Sequence, residues 1–278
     1  MSEKRKPIIL LTGATDGLGR RVAEDLAANG HILLLHGRNP DKGNALVSRI
    51  CSATDNQQVY YYNADLASLQ EVRNLAATVT WNHPCLDVLI NNAGLGGGPG
   101  PKKRQISRDG FELRFAVNYL APYLLTRLLL PLLRRGAESN GTSRIVNIAS
   151  SCQQAIDFDN PMLERDYDGL RAYCQSKLAL VMFTFDLARE LQGSGITVNA
   201  LHPASAMNTK LLRQWHRIPR HSVKKGAQAV ISLALSNRAR YTSGQYFNGG
   251  KIQPAKDPAY DEEARQRLRR ISREWTGL

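Results

Sequence analysis

The chain has 278 residues, 42% hydrophobic and 22% charged, with 22 Gly, 12 Pro and a formal net charge of +13. The glycines follow no period, the apolar fraction lies far above the disordered range, and four scattered cysteines (Cys51, Cys85, Cys152, Cys174) form no CxxC pair, which excludes a collagen, a disordered chain and a disulfide scaffold. No run approaches the ~18 uncharged apolar residues of a membrane span, and the best candidate, 124–133, is cut by Arg127 and Pro131. The cysteines read as free thiols of a reducing compartment, and no metal site is expected. Residues 1–6 are basic and 8–11 apolar, but that run is too short for a signal peptide, so a soluble cytoplasmic protein is expected. Arginine supplies 26 of the 37 cations, spread over 102–104, 134–135, 210–225 and 265–273 with no basic stripe interleaved with aromatics. That pattern is a solvated surface with some attraction for phosphate-bearing ligands; nucleic acid is not an expected partner.

Short apolar runs alternate with helical patterns along the chain. Strands are expected at 7–11, 32–35, 59–62, 86–90, 145–149, 196–201 and 244–247, and helices at 20–28, 41–50, 69–79, 111–133 and 173–191. β-branched strands without polar alternation, separated by amphipathic helices, require a parallel sheet covered on both faces. Right-handed crossovers make it a doubly wound, Rossmann-type α/β sheet of about seven strands in a single domain, 1–278. Two irregular excursions, 150–172 and 204–222, project where such folds bind ligands and are candidate substrate-entrance segments; 251–278 reads as a helical tail.

The first strand runs into Thr12-Gly13-Ala14-Thr15-Asp16-Gly17-Leu18-Gly19 and then a helix. That is the context of a dinucleotide loop: Gly13 for the turn, Gly17 for backbone approach to a pyrophosphate, Gly19 for helix–strand packing, and helix N–H groups facing phosphate. Three residues separate the first two glycines, so the spacing is not GxGxxG. The second strand ends at His36-Gly37-Arg38, where a carboxylate would bind a ribose 2′-hydroxyl. A guanidinium there suits a 2′-phosphate, which favours NADP over NAD. Asp65, before Leu66, is placed to accept from an adenine amino group or to cap the next helix. Asn91-Asn92-Ala93-Gly94 supplies small residues for backbone contact with a cofactor, or simply a turn.

Tyr173 and Lys177 are four apart on a predicted helix and share a face. An ammonium one turn from a phenol lowers the phenol's pKa and makes it a proton donor or acceptor near neutrality. Alone, Tyr-x-x-x-Lys is common. Together with the glycine loop, Asn91-Asn92-Ala93-Gly94, Asn118 and Ser150, in this order, the chain resembles the short-chain dehydrogenase/reductase family over essentially its whole length. Gly110-Phe111-Glu112-Leu113, Val117-Asn118, 144–148 and Gly244-Gln245-Tyr246-Phe247 are similar to its retinol-dehydrogenase-like branch.

The resemblance implies an NADP(H)-dependent enzyme interconverting a carbonyl and an alcohol. Tyr173 would be the general acid or base, and Lys177 would lower its pKa and hold the nicotinamide ribose. Ser150, preferred over Ser151, would bind the substrate oxygen, and Asn118 would support a water-linked proton path to Lys177. Pro203 would pack on the nicotinamide and Thr209 bind its amide, although His202-Pro203-Ala204 replaces the family's frequent Pro-Gly. The insert 153–169 is expected to form one wall of the substrate entrance. Segment 204–222, with Lys210, Arg213, Arg217, Arg220, Leu211, Leu212 and Trp215, is an amphipathic lid, a cationic rim or a membrane-surface contact. Cys174 is expected to point away from Tyr173. The resemblance allows a homodimer or homotetramer through the two long helices. A second reading from a different class is a non-catalytic dinucleotide-binding regulator with the same fold.

Overall fold

Wholly apolar runs become strands β1 (Ile8–Leu11), β2 (Ile32–Gly37), β3 (Val59–Asn63), β4 (Val88–Asn91), β5 (Ser143–Ile148), β6 (Ile196–His202), β7 (Tyr246–Asn248) and β8 (Lys251–Ile252). The computed structural model describes residues 5–97, 103–209, 212 and 218–278. The sheet order is β3-β2-β1-β4-β5-β6-β7-β8; the pairs are parallel as far as β7, and only β8 is antiparallel. The order reverses between β1 and β4, a topological switch point where such sheets bind ligands.

Strand alternation divides the interior in two. Ile8 and Leu10 of β1 face one core, packed by helices α3 (Leu69–Asn82), α4 (Leu113–Asn140) and α5 (Gly169–Glu190). Ile9 and Leu11 face the other, packed by α1 (Gly17–Ala28), α2 (Pro40–Thr54) and α6 (Val223–Leu235). Helix starts follow local capping chemistry. Asp16, Asn39, Ser68, Asp168 and Ser222 each accept from an N-terminal backbone N–H.

Three elements differ from the sequence expectation. Helix α4 runs to Asn140 through Pro131 and stops at Gly141, whose φ of 78° suits a glycine C-cap. Helix α5 begins at Gly169, one turn before Tyr173, because Asp168 supplies the cap. Helix α6 was not expected; the lid segment ends on its N-cap, Ser222. By length and composition α4 is apolar enough to cross a membrane, but 83% of its most apolar window is buried in the domain, which makes it a core helix here.

The tail forms α7 (Glu262–Thr276), which packs on α5 and on the start of α4. Tyr119 shares a 2.6 Å hydrogen bond with Ser272, Trp275 lies against Phe111 and Phe115, and Asp186 faces Arg265 and Arg269.

Candidate active site

The loops at the carboxyl ends of β1, β2, β4, β5 and β6 surround one cavity of about 910 Å³. Its cofactor-like side is the glycine loop. Gly13 has φ +66°, and a Cβ there would stand 2.7 Å from Cα of Ala93. A Cβ at Gly19 would meet the Gly13 carbonyl oxygen at 2.1 Å, so no side chain fits between helix and turn. Thr15, Asp16, Gly17 and Leu18 complete the loop, and the α1 N-terminus opens onto the cavity.

The loop is braced from behind. Gly13 N–H donates to His36 Nδ1 at 3.4 Å, while His36 Nε2 meets the Ala64 carbonyl at 3.0 Å. Burial holds the His36 pKa at about 4, so the ring is neutral at physiological pH. Thr12 and Asn91, expected to touch a cofactor, stand behind the cavity wall instead. Thr12 Oγ1 accepts from the N–H groups of Asn92 and Ala93. Asn91 points into the core and donates to Thr126 and Asn147. Its neighbour Asn92, the first residue past β4, points the opposite way, lines the cavity and donates to the carbonyls of Thr12 and Gly13. Adjacent residues of a strand face opposite ways, and the tetrapeptide motif does not say which asparagine faces the ligand.

Arg38 and Lys42 are exposed at the cavity rim beside Thr15 and form no ion pair among the described residues. Asp65 and Leu66 also line the cavity. Asp65 is not the cap of α3; its carboxylate accepts from Ala67, and Ser68 caps the helix. Ala93, Gly94, Pro203 and Thr209 reach the same space, and Thr209 lies over Gly17, with its methyl 3.4 Å from where a Cβ at Gly17 would stand.

At the opposite end lie Tyr173, Lys177 and Ser150. Tyr173 and Ser150 share a side-chain hydrogen bond, whereas Ser151 is exposed. Lys177 Nζ donates to the Ile148 carbonyl at 2.8 Å and stands 5.9 Å from the centre of the Tyr173 ring. Burial pushes the Tyr173 hydroxyl well above the ordinary phenol range, partly offset by the Ser150 hydrogen bond. Burial also lowers Lys177 to about 8. The expected acidification of the phenol by the ammonium is therefore outweighed by desolvation. The resting Tyr173 holds its proton, the state a general acid needs.

Asn118 is fully buried on a π-helical turn at Ala116–Leu120 and does not line the cavity. Its side chain accepts from Leu95 N–H and donates to the Leu95 carbonyl and to Ser176. A Cβ at Gly94 would lie 3.2 Å from Asn118 Oδ1 and 3.4 Å from Lys177 Nζ, so both side chains lie close against that glycine.

The entrance differs from expectation. Beyond Ser151 and Cys152 the insert does not reach the cavity; Ile156 and Met162 join the core, where they bury more apolar area. Ala204 to Met207, Leu212, Ile218 and Arg220 do line it, and Lys210, Leu211, Arg213, Trp215 and Arg217 lie outside the described residues. Cys174 hydrogen-bonds Cys152; that contact and burial push its thiol up, disfavouring thiolate. Among the described residues no cluster of three metal-ligating side chains exists.

A Rossmann-type sheet with a glycine loop at one end of its cavity and a Tyr–Lys–Ser group at the other defines a dinucleotide-dependent oxidoreductase scaffold. The family model for short chain dehydrogenase matches residues 7–218, and the chain belongs to that family. It is 38% identical to human retinol dehydrogenase 13, over 97% of this chain and 84% of that protein. It is 34% identical to human retinol dehydrogenase 11, over 98% and 86%. Among solved structures, the Pseudomonas aeruginosa RhlG/NADP active-site complex superposes with TM-score 0.72 at 25% identity, covering 88% of this chain and 95% of that one. The 3-ketoacyl-(acyl-carrier-protein) reductase from Brucella melitensis complexed with NADH gives TM-score 0.71 at 25% identity, over 87% and 96%.

Proposed function

We propose that the protein is an NADP(H)-dependent oxidoreductase that interconverts a carbonyl and an alcohol, with Tyr173 moving the proton. The observation that carries this reading is one continuous cavity holding the glycine loop and Arg38 at one end and Tyr173, Lys177 and Ser150 at the other. The cradle suits a dinucleotide: Gly13 and Gly19 leave no room for side chains, and the α1 N-terminus opens onto the cavity where it would face a phosphate.

The loop 13–19 would hold the pyrophosphate, Arg38 and Lys42 a 2′-phosphate, and Asp65 with Leu66 the adenine. Ala93, Gly94, Lys177, Pro203 and Thr209 would hold the nicotinamide half. The bound cofactor supplies the hydride. Ser150 donates a hydrogen bond to the substrate oxygen and stabilises the charge that develops there. Tyr173 gives its proton to that oxygen in reduction and removes it in oxidation. Lys177, an ammonium at neutral pH, stabilises the phenolate as it forms. Asn118 keeps Leu95 and the Gly94 turn in place beside Lys177.

The apolar lining by Leu95, Leu113, Val117, Leu212 and Ile218 favours a lipophilic substrate, in keeping with relatives named for retinol. Helix α7 covers the start of α4 and part of α5, and in this reading it limits subunit pairing there. None of the four cysteines forms a disulfide among the described residues, which supports a reducing, cytoplasmic setting. The test is a panel of retinaldehyde, steroid ketones, simple aldehydes and quinones with NADPH and NADH. NADPH-linked turnover that Tyr173→Phe abolishes is the expected result; turnover kept by that variant refutes the mechanism.

A further inference from the structure

Arg114 lies one turn before Asn118 at the start of α4 and is 6% exposed. Its Nε donates to the Gly96 carbonyl at 2.8 Å. Its Nη1 donates to the Tyr167 hydroxyl and faces Glu112 Oε1 at 3.4 Å. Glu112, 1% exposed, accepts from Tyr167 O–H at 3.0 Å and from Phe115 N–H at 2.7 Å. One buried ion pair thus ties together three stretches distant in sequence: the exit of β4, the start of α4 and the end of the insert. Burying both charges is costly, and apolar residues of equal volume would commonly stabilise as well, so fixed geometry is the property this pair adds.

The geometry it fixes lies against the catalytic helix. A Cβ at Gly97 would stand 2.5 Å from the Gly169 carbonyl oxygen and 2.6 Å from Cβ of Tyr173. The strap 95–97 therefore rests directly on the first turn of α5. Asn118 grips Leu95, Arg114 grips Gly96, and Tyr167 immediately precedes Asp168, the α5 cap. Burial and the Glu112 carboxylate push the Tyr167 hydroxyl up to about 12, so it remains a donor across the working pH range.

We propose that Arg114, Glu112 and Tyr167 are positioning residues whose clasp presses the 95–97 strap onto α5 and so sets the Tyr173 hydroxyl at the substrate. The inference rests on the proposed role of Tyr173. It is tested with Arg114→Met, Arg114→Lys and Tyr167→Phe in the full chain.

In Arg114→Met, kcat for NADPH-dependent carbonyl reduction is expected to fall about tenfold or more, since small misplacements of reacting groups carry costs of that order. KM and NADPH affinity, read by NADPH fluorescence, should stay within about twofold of wild type, with Arg114→Lys and Tyr167→Phe intermediate in kcat. Unchanged kcat in folded Arg114→Met, or a loss shared equally by KM and NADPH affinity, overturns the proposal. If Arg114→Met does not fold, the same criteria apply to Tyr167→Phe. If wild type reduces none of the carbonyls, the reading of Tyr173 fails, and hydrogen exchange then decides the clasp alone. Faster exchange at 95–97 and 169–173 in the variant supports it, and unchanged exchange overturns it.

Discussion

The glycine loop and the strap at 95–97 both bring bare backbone to the cavity wall, but by opposite means. In the loop, fewer than ten consecutive residues carry the main instructions (a positive-φ glycine, a helix cap and a glycine that admits no Cβ), and His36 and Asn92 brace them from behind. The strap has no such local instructions. It is held by Asn118 and Arg114 from α4 and, through Tyr167, by the end of the insert. A cofactor site whose turn and cap are local needs only bracing from elsewhere, whereas a substrate wall made from distant side chains changes whenever one partner changes.

That contrast yields four expected outcomes, in decreasing size. Tyr173→Phe should lower kcat by about 10²- to 10⁴-fold while NADPH affinity is retained, as measured by steady-state kinetics and fluorescence titration. Affinity falling in parallel would mean that the two ends of the cavity are not separable.

Lys177→Met should lower turnover less than Tyr173→Phe does, yet stabilise the fold. The folded pKa of about 8 lies below the ordinary lysine value of 10.5, so the unfolded chain binds more protons between those values. Wild-type stability therefore rises with pH across that window, and the burial cost is present in full below it. At pH 7 the variant should gain up to about 3 kcal/mol in denaturant unfolding, with the gain vanishing above the window. Wild-type activity should decline as pH rises through about 8, where the ammonium is lost.

Arg38→Ala should weaken NADPH binding about 10- to 100-fold, the worth of one or two charge-assisted hydrogen bonds, and leave NADH nearly untouched. Equal loss for both cofactors would remove the 2′-phosphate assignment. Thr12→Val, behind the loop, leaves the N–H groups of Asn92 and Ala93 unpartnered and should cost about 1–2 kcal/mol of stability with kcat retained.

Some of this site is legible residue by residue. Tyr173 and Lys177 share a face because a helix repeats every 3.6 residues, and Ser150 follows a strand whose end is marked by its apolar run. Other features are not. Asn92 rather than Asn91 faces the cavity, a matter of strand phase. The insert looked like an entrance wall, but Ile156 and Met162 found more area in the core. Helix α6 is marked in the sequence only by Ser222 and the apolar spacing of Ala227, Val230 and Ala234. His36 and Lys42 carry no motif and become functional candidates only beside Gly13 and Arg38.

By itself, the amino-acid order determined the strand and helix alternation, the glycine turn and the Tyr–Lys face, because each depends on backbone preferences and side-chain periods over a few residues. Only the tertiary structure decided which asparagine meets the ligand, where the insert is buried, and that Arg114 reaches Tyr167 across 53 residues. Those outcomes depend on which distant groups compete for the same buried space, and a linear pattern does not carry that competition.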